Sequence, residues 1–273
     1  MNNEITLVSG LWDIKREALV GFHRKFSHYL ECFEKLLKLD FKFYLYIPED
    51  LIEFVTEHSD VQSTFIHYKP LDQIRNEFSL FEQVQQIRTN PRWYGLNGWL
   101  AESTQAQLEY YNPIVMSKMR FLSDAAFSNP FNSDYLFWID GGIANSVSPE
   151  FTKNLVNIKS YMQSIQNKFL MLSFEYESEY EVHGFEVKNF SRYCGVDKSQ
   201  YVCRGGFFGG TPSDCIELNK EYDTILSNTI EEGLMGTEEN ILTILSHKFP
   251  NKIHRYELPD SLVYSFFLHF SKK

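Results

Sequence analysis

The sequence predicts an α/β fold, in which helices cover both faces of a mostly parallel central sheet. Short β-branched and aromatic runs alternate with charged segments whose apolar residues recur every three or four positions. This alternation favours parallel strands joined by helical crossovers. No repeat, low-complexity tract or linker interrupts it, so a single domain over residues 1–273 is the economical organisation.

The first half of the chain supplies three predicted strands. Residues 5–10, 41–47 and 64–68 are short runs rich in β-branched and aromatic side chains. Residues 14–39 carry an apolar stripe at helical spacing and predict a helix between the first two strands. Pro48 precedes two acids, which predicts the start of the next helix.

The middle of the chain departs from this pattern. Residues 72–111 form a helical excursion that is broken at Asn90-Pro91 and around Gly95 and Gly98. Such a segment forms either a lid or wall of a site, or a plain surface hairpin of helices. The sequence leaves both interpretations open.

The second half resumes the alternation. Pro113 suits the first position of a helix that runs to residue 127, and Pro130 marks the break before the strand that ends at Asp140. The remaining predicted elements are strands at 169–174, 201–203 and 252–256, and helices at 149–165, 212–230 and 237–247.

Bulk composition narrows the classes of function. Lys and Arg total 26 against 36 Asp and Glu, and the net charge of −10 lacks the basic field that nucleic-acid binding requires. The aromatic share of 16% suits a packed core or platforms that stack on bases and sugar rings. Reduced thiols are expected, because the four cysteines show neither metal-type spacing nor a disulfide framework: Cys32, Cys194, Cys203 and Cys215.

The two ends of the chain bear on localisation. Residues 1–16 do not resemble a secretion signal, and no segment reaches the roughly 20 apolar residues of a membrane-spanning helix. Residues 261–270 are rich in aromatics and precede two lysines. They either pack on the domain or touch an anionic membrane surface. We therefore expect a cytoplasmic protein, with peripheral contact at the inner face of the membrane as the alternative.

The most informative segment is residues 132–143, an apolar and aromatic run that ends in Asp140-Gly141-Gly142. A carboxylate at the tip of a central strand lies where open α/β sheets bind ligands. The two glycines let a bulky ligand approach the backbone. An ordinary Asp-Gly turn after a strand would leave the same pattern.

Two further segments could carry chemistry. Residues 205–210 contain four glycines after Arg204, without the spacing of a dinucleotide fold or a P-loop. They form either a backbone that passes close to a flat or bulky group, or a tight turn. Glu238 and Glu239 follow Thr237, a natural helix cap. Their carboxylates either stabilise the helix start or accept a proton or a sugar hydroxyl in a cleft.

Taken together, these segments resemble the HtrL/YibB-like bacterial proteins over nearly the whole chain. The family shows a helix with a lysine, a Trp-Ile-Asp-x-Gly strand end, a glycine-rich segment and an acidic pair before Ile-Leu. The matching positions are Lys118, residues 138–142, residues 205–210, and Glu238-Glu239 before Ile241-Leu242, with residues 6–9 and 13–16 as the matching start.

That family is similar to the GT-A glycosyltransferases, which hold a divalent metal on a sugar-nucleotide diphosphate through an Asp-x-Asp motif. The resemblance implies a Rossmann-like domain and Mn²⁺ or Mg²⁺ at Asp140. The second Asp falls at Gly142, so His254 on the last predicted strand is the other candidate ligand. Alternatively Lys118, Arg16 and Arg204 neutralise the diphosphate without a metal.

The resemblance also implies roles for individual residues. Asp140, Glu238 and Glu239 are the candidate catalytic residues. One of the glutamates would be the base if the anomeric configuration inverts, or would position the acceptor if the configuration is retained. The candidate donor-binding residues are Thr6, Ser9, Arg16, Lys118, Gly141, Gly142, Arg204, Gly205, Gly206, Gly209 and Gly210.

The implied function is transfer of a sugar from a nucleotide-sugar donor to a cell-surface glycan, such as lipopolysaccharide, lipooligosaccharide or capsule. Within the same fold, the alternatives are hydrolysis of the sugar nucleotide and transfer to a protein. A non-catalytic scaffold that binds glycans or nucleotides is the alternative from a different class, because one carboxylate of the motif is missing.

Overall fold

The structure is a computed structural model that describes residues 5–21 and 24–270. The strands in these ranges are β1 (Ile5–Gly10), β2 (Lys42–Ile47), β3 (Thr64–Tyr68), β4 (Tyr135–Ile139), β5 (Phe169–Glu175), β6 (Glu181–Val182), β7 (Phe185–Glu186), β8 (Tyr201–Gly210) and β9 (Ile253–Glu257).

The α-helices of the described residues range from four to twenty residues in length. They are α1 (Phe26–Leu37), α2 (Ile52–His58), α3 (Leu71–Glu77), α4 (Phe81–Arg88), α5 (Pro91–Tyr94), α6 (Thr104–Gln107), α7 (Tyr111–Met116), α8 (Lys118–Ser128), α9 (Pro149–Thr152), α10 (Ile158–Ser164), α11 (Val187–Cys194), α12 (Pro212–Glu231), α13 (Glu238–Lys248) and α14 (Tyr264–His269).

The central sheet has seven strands in the order β3-β2-β1-β4-β8-β5-β9. Every neighbouring pair is parallel except the two made by β8, which runs antiparallel between β4 and β5. The predicted α/β fold with a mostly parallel sheet flanked by helices is therefore confirmed. Because β8 is reversed, it begins at the edge where the other strands end.

The glycine-rich segment is part of β8 rather than a loop. A side chain at Gly209 would place its Cβ 2.2 Å from the carbonyl oxygen of Leu136 on β4. At Gly210 it would lie 3.1 Å from the ring of Phe169 on β5. These two glycines serve the close packing of three strands in the sheet interior, which corrects their predicted contact with a donor sugar.

The helix predicted over residues 14–39 is wrong in its first part. The α-helix begins at Phe26, and residues 16–18 form only a short 3₁₀ turn. Lys15 and Gly21 have φ angles of 60° and 80°, in the left-handed region that a continuous helix excludes.

Two other regions differ from the sequence pattern. The helix expected from Pro113 onward is split into α7 and α8 at Ser117. The hairpin β6–β7 and helix α11 lie in residues 181–194, where no element is predicted. The excursion over residues 72–111 consists of α3, α4, α5 and α6 with a 3₁₀ turn between the last two.

The C-terminal aromatic segment belongs to the core. Phe266, Phe267 and Phe270 are at most 4% exposed, and the ring of Phe266 packs at 5.0 Å from that of Tyr256. Buried rings are not available to dip into a membrane surface, and the lysines of the predicted contact lie outside the described residues. Within the described chain, no helix is long and apolar enough to span a membrane.

Candidate functional site

A cavity of about 600 Å³ opens at the edge of the sheet where β1 and β4 end side by side. The chain continues from β1 to β2 on one side, whereas β4 lies on the other, so the strand order reverses here. Open α/β sheets bind ligands in the crevice at such a reversal. The lining comes from the segments after β1 and β4, from α7, α8 and α13, from the start of β8, and from the turn of the β6–β7 hairpin.

Asp140 is the residue that directly follows β4, and its side chain is 39% exposed at the cavity. Its Oδ1 accepts a hydrogen bond from Nε1 of Trp138 at 2.8 Å and lies 2.8 Å from Nζ of Lys118. These two contacts fix the orientation of the carboxylate at the strand end. Gly141 and Gly142 follow it and line the same wall.

Lys118, the first residue of α8, is the buried centre of the site. Besides its ion pair with Asp140, its Nζ donates to Oε1 of Glu238 at 2.7 Å and to the carbonyl oxygen of Gly205 at 3.1 Å. Burial alone would lower the pKa of the ammonium, but the two carboxylates outweigh it and hold the pKa above its usual range. Lys118 is therefore a constant cation shared by two carboxylates, and the group has one negative charge in excess.

Glu238 reaches Lys118 because the neighbouring strand has no side chain in the way. Helix α13 begins at Glu238. Thr237 and Asn240 cap it reciprocally, because the side chain of each accepts the backbone N–H of the other. A Cβ at Gly205 would lie 2.1 Å from Oε1 of Glu238. Burial raises the pKa of Glu238, against the opposing effect of Lys118. The carboxylate is thus more basic than an ordinary glutamate.

Glu239, the next residue, has the opposite environment. Its Oε2 lies 3.0 Å from Nδ1 of His183, and its Oε1 accepts the backbone N–H of Gly205 at 3.0 Å. Burial alone would raise its pKa, but His183, the charge of Arg204 and the Gly205 N–H hold the pKa below its usual range. The same contact holds the pKa of His183 above its usual range, although burial works against it.

His183 was missed at the sequence level and lies on the turn of the β6–β7 hairpin. His183 and Gly184 both have positive φ angles, 51° and 92°, as a tight two-residue hairpin turn requires. Oε2 of Glu181 accepts the N–H of Gly184 at 2.6 Å and so fixes the turn. The only sequence signal was this His-Gly pair, because strands of two residues carry no readable periodicity.

Arg16, a predicted donor-binding residue, follows β1 and lines the cavity. Its guanidinium is 5.3 Å from the ring centroids of both Tyr29 and Tyr111 and donates to the hydroxyl of Tyr29. Burial, followed by the charge of Glu238, raises the pKa of Tyr111 to about 12. Arg24 also lines the cavity and adds a second cation that the sequence pattern did not single out.

Arg204 lines the cavity from the start of β8. Its Nη2 donates to the carbonyl oxygen of Ser261 at 2.9 Å, and its guanidinium lies 3.9 Å from the ring centroid of Phe174. The predicted residues brought together at the cavity are therefore Arg16, Lys118, Asp140, Gly141, Gly142, Arg204, Gly206, Glu238 and Glu239, with Gly205 in contact with three of them.

Thr6 and Ser9 are not at the cavity. Both are fully buried in β1; the Thr6 hydroxyl bonds to that of Ser133 at 2.9 Å, and Ser9 donates to the carbonyl oxygen of Ile139 at 2.7 Å. Their hydroxyls therefore tie β1 to its neighbours, which corrects their predicted contact with a nucleotide.

The residues present do not fit the predicted metal at Asp140 and His254. His254 lies on β9, where it pairs with Leu170 of β5. Strand β9 is three strand spacings from β4, or about 14 Å at about 4.8 Å each. His254 instead bonds to the hydroxyl of Tyr161 at 3.0 Å. Over residues 5–21 and 24–270, no three His, Cys, Asp or Glu side chains are arranged to hold a metal ion. The ammonium of Lys118 lies where a cation would meet Asp140.

The fold and the position of the cavity define an α/β protein of the Rossmann-like class with a ligand crevice at the carboxyl edge of its sheet. Residues 3–258 match the family described as "Bacterial protein of unknown function (HtrL_YibB)". The chain belongs to that family.

A solved structure aligns with most of this chain at low sequence identity. A crystal structure of 4-diphosphocytidyl-2C-methyl-D-erythritol synthase from Anaerococcus prevotii DSM 20548 aligns over 98% of this chain and 94% of its own, with 10% identity and a TM-score of 0.43. Neither the substrate nor the activity of that enzyme is carried over to this chain. No curated protein matches the sequence.

Proposed function

We propose that this protein is a glycosyltransferase that moves a sugar from a nucleotide-sugar donor to a hydroxyl group of a cell-surface glycan, such as lipopolysaccharide or capsule. The observation that carries the proposal is the group of Lys118, Asp140 and Glu238 at the strand-order reversal, in which the lysine and the glutamate are buried. It places a basic carboxylate beside a fixed cation in a cavity large enough for a small ligand. The bacterial family and the resemblance to GT-A enzymes supply the substrate class.

Glu238 is the base in this proposal. It accepts the proton of the acceptor hydroxyl while the oxygen forms a bond to the anomeric carbon and the bond from that carbon to the phosphate oxygen breaks. The nucleoside diphosphate leaves with the electron pair. The raised pKa of Glu238 supports this role, since a carboxylate that holds a proton more readily is a better base. Both oxygens of Glu239 are engaged by His183 and Gly205, so Glu239 is assigned to positioning.

The β1 side of the cavity receives the donor diphosphate. Arg16 and Arg24 lie there, and neither has a carboxylate partner among the described ion pairs. Arginine suits phosphate because its planar donors match the phosphate oxygens. The charge that leaves with the diphosphate is assigned to these two side chains, with Asp140 and Lys118 orienting the donor sugar. No step is assigned to a metal ion, since the donor set does not fit one.

A thermal-shift panel tests the donor. Wild-type protein would be heated with each common nucleotide sugar, once with Mn²⁺ and once with EDTA. We expect one donor class to raise the melting temperature under both conditions, since a ligand of the folded state stabilises it by mass action. Arg16→Gln should weaken the shift. Protein that responds to no donor, and forms no product with candidate acceptors by mass spectrometry, would point to the non-catalytic scaffold.

A further inference from the structure

The cavity contains a second charged group, distinct from the one around Lys118. Glu239 is the single carboxylate of this group, and it faces two cations, His183 and Arg204. When His183 is protonated, the group carries one positive charge in excess. Partly buried charges of this kind attract an anion strongly, because water screens them little.

Hydrogen-bond donors of both cations remain available. The imidazole uses Nδ1 toward Glu239, and no residue in the described part of the chain accepts a hydrogen bond from its Nε2. The guanidinium of Arg204 uses Nη2 toward Ser261, whereas its Nε is buried with no partner within residues 5–21 and 24–270. Buried donors are almost always paired in folded proteins, so the Nε of this cavity-lining residue would gain a partner if a ligand oxygen came to lie beside it.

An unpaired acceptor lies against the same turn. Gln105 lines the cavity and is 6% exposed, and its Oε1 is buried with no donor in the described residues. A Cβ at Gly184 would lie 3.1 Å from that oxygen, so the amide touches the turn that carries His183. A neutral amide oxygen accepts from a hydroxyl and does not bind an anion. The subsite therefore offers donors for an anionic group and an acceptor for a neighbouring hydroxyl.

The subsite is built rigidly. Glu181, which fixes the hairpin turn, is 3% exposed and also accepts hydrogen bonds from Nε1 of Trp99 at 2.9 Å and Nδ2 of Asn97 at 3.2 Å. The helical excursion thereby holds the hairpin in place from outside. Ligand groups held by preorganised side chains are bound without the entropy loss of ordering a loop.

We propose that His183, Arg204 and Gln105 form a subsite for an anionic sugar, which makes the acceptor a glycan whose reacting sugar bears a phosphate or a carboxylate. This rests on the glycosyltransferase function proposed above. The subsite is next to Glu238, because Glu239 is the following residue and Gly205 contacts both glutamates. A sugar held there therefore presents a hydroxyl to the base. The donor diphosphate has its own cations in this proposal, Arg16 and Arg24, which also line the cavity.

Binding of small probes to the intact protein tests the proposal without requiring turnover. Glucose phosphate, glucuronate and neutral glucose would be titrated by calorimetry, with and without a saturating nucleoside diphosphate. We expect the two anionic sugars to bind at least about tenfold more tightly than glucose, whether or not the nucleotide is present. Inorganic phosphate should compete with them more weakly, because it lacks the hydroxyl for Gln105.

Variants locate the site. His183→Gln and Arg204→Lys should each weaken the anionic sugars about tenfold and leave nucleotide binding unchanged, and Gln105→Leu should weaken them less. Asn219→Leu is the matched control, because Asn219 also has a buried unpaired amide oxygen but does not line the cavity. Melting curves verify that each variant is folded. If one variant does not fold, the preference of the wild-type protein for anionic over neutral sugars still tests the proposal.

Two outcomes would overturn the subsite and leave the proposed function intact: equal affinity for charged and neutral sugars, or displacement of the anionic sugars by the nucleoside diphosphate alone. The second would assign His183 and Arg204 to the donor phosphates. Failure of every nucleotide sugar to bind, with anionic sugars still bound, would instead remove the glycosyltransferase and retain an anion site.

Discussion

Glu238 and Glu239 are identical side chains at adjacent positions, yet their surroundings have opposite charge. Glu238 shares one cation, Lys118, with Asp140, whereas Glu239 is shared by His183 and Arg204. Consecutive residues of a helix point about 100° apart, so one faces α8 and the other faces the hairpin. The pKa of Glu238 is accordingly raised and that of Glu239 lowered. The helix start thus separates the proposed base from the proposed anion-binding group.

The largest effect should come from exchanging the two carboxylates for amides one at a time. Glu238→Gln removes the base and should lower kcat by about 10²- to 10⁴-fold, the usual contribution of general base catalysis. Glu239→Gln should mainly raise KM for the acceptor, because it frees His183 and leaves the base intact. Steady-state kinetics with the identified donor and acceptor separates the two. Equal losses of kcat in both variants would contradict the division of roles.

Replacement of Lys118 should have the second largest effect, and the quantity that it changes is the stability of the fold. Lys118→Met leaves Asp140 and Glu238 without a cation and should lower the free energy of unfolding by about 3–5 kcal/mol, as for other broken buried pairs. Urea denaturation measures it, and adding Glu238→Gln should recover part of the loss.

Lys69→Met is the matched control for this prediction. Lys69 is equally buried but pairs with a single carboxylate, Glu77, which is 36% exposed and does not line the cavity. Its replacement should destabilise the protein less, because water can solvate Glu77. A loss as large as that of Lys118→Met would show that the loss comes from removing a buried lysine and not from leaving Glu238 without a cation.

A substitution at Gly205 tests whether the two charged groups depend on the close approach of the β8 backbone to Glu238 and Glu239. Gly205→Ala places a Cβ 2.1 Å from Oε1 of Glu238 and should destabilise the protein by about 1–3 kcal/mol through overpacking, with loss of turnover. Gly98→Ala, where nothing lies within 4 Å of the added atom, should leave the melting temperature unchanged. Unaltered turnover in Gly205→Ala would mean that Glu238 need not lie against β8.

The smallest of the expected effects is a change in the affinity for anionic sugars with pH. The pKa of His183 lies above its usual 6.5, so binding that needs the imidazolium is complete below that pKa and is lost as the pH rises through it. The charged groups around His183 are Glu238 and Glu239 on α13 and Arg204 on β8, and the ring of Tyr176 lies at 5.5 Å. Calorimetry of glucuronate against pH should show this step in the wild type. A step that persists in His183→Gln would belong to another group.

Local patterns in the sequence account for part of the site. A carboxylate after an apolar run identified Asp140, and cap chemistry placed Glu238 and Glu239 at the start of α13. Lys118 came from the resemblance alone, since nothing in α8 indicates that its first residue reaches across to β8. The parallel strands were predictable because each is a short apolar run between helical segments.

The rest depends on contacts between distant parts of the chain. His254 follows the same strand pattern as Asp140, but register places it several strands away, and sequence carries no register. Gly209 and Gly210 look like Gly205 and Gly206, yet only the direction of β8 decides which pair meets the cavity. Gln105 became visible only as an amide oxygen without a partner, which is a property of the folded chain.

The peptide group of Gly205 joins the two charged groups, because its N–H binds Glu239 while its carbonyl oxygen binds Lys118. Neither the pairing of β8 with β4 nor its pairing with β5 includes Gly205, and the pairing with β5 shifts its register across this part of the strand. The N–H and the carbonyl oxygen of Gly205 are therefore free of the sheet ladder and available to the two side chains. A single residue without a side chain thus connects a group with excess negative charge to a group with excess positive charge.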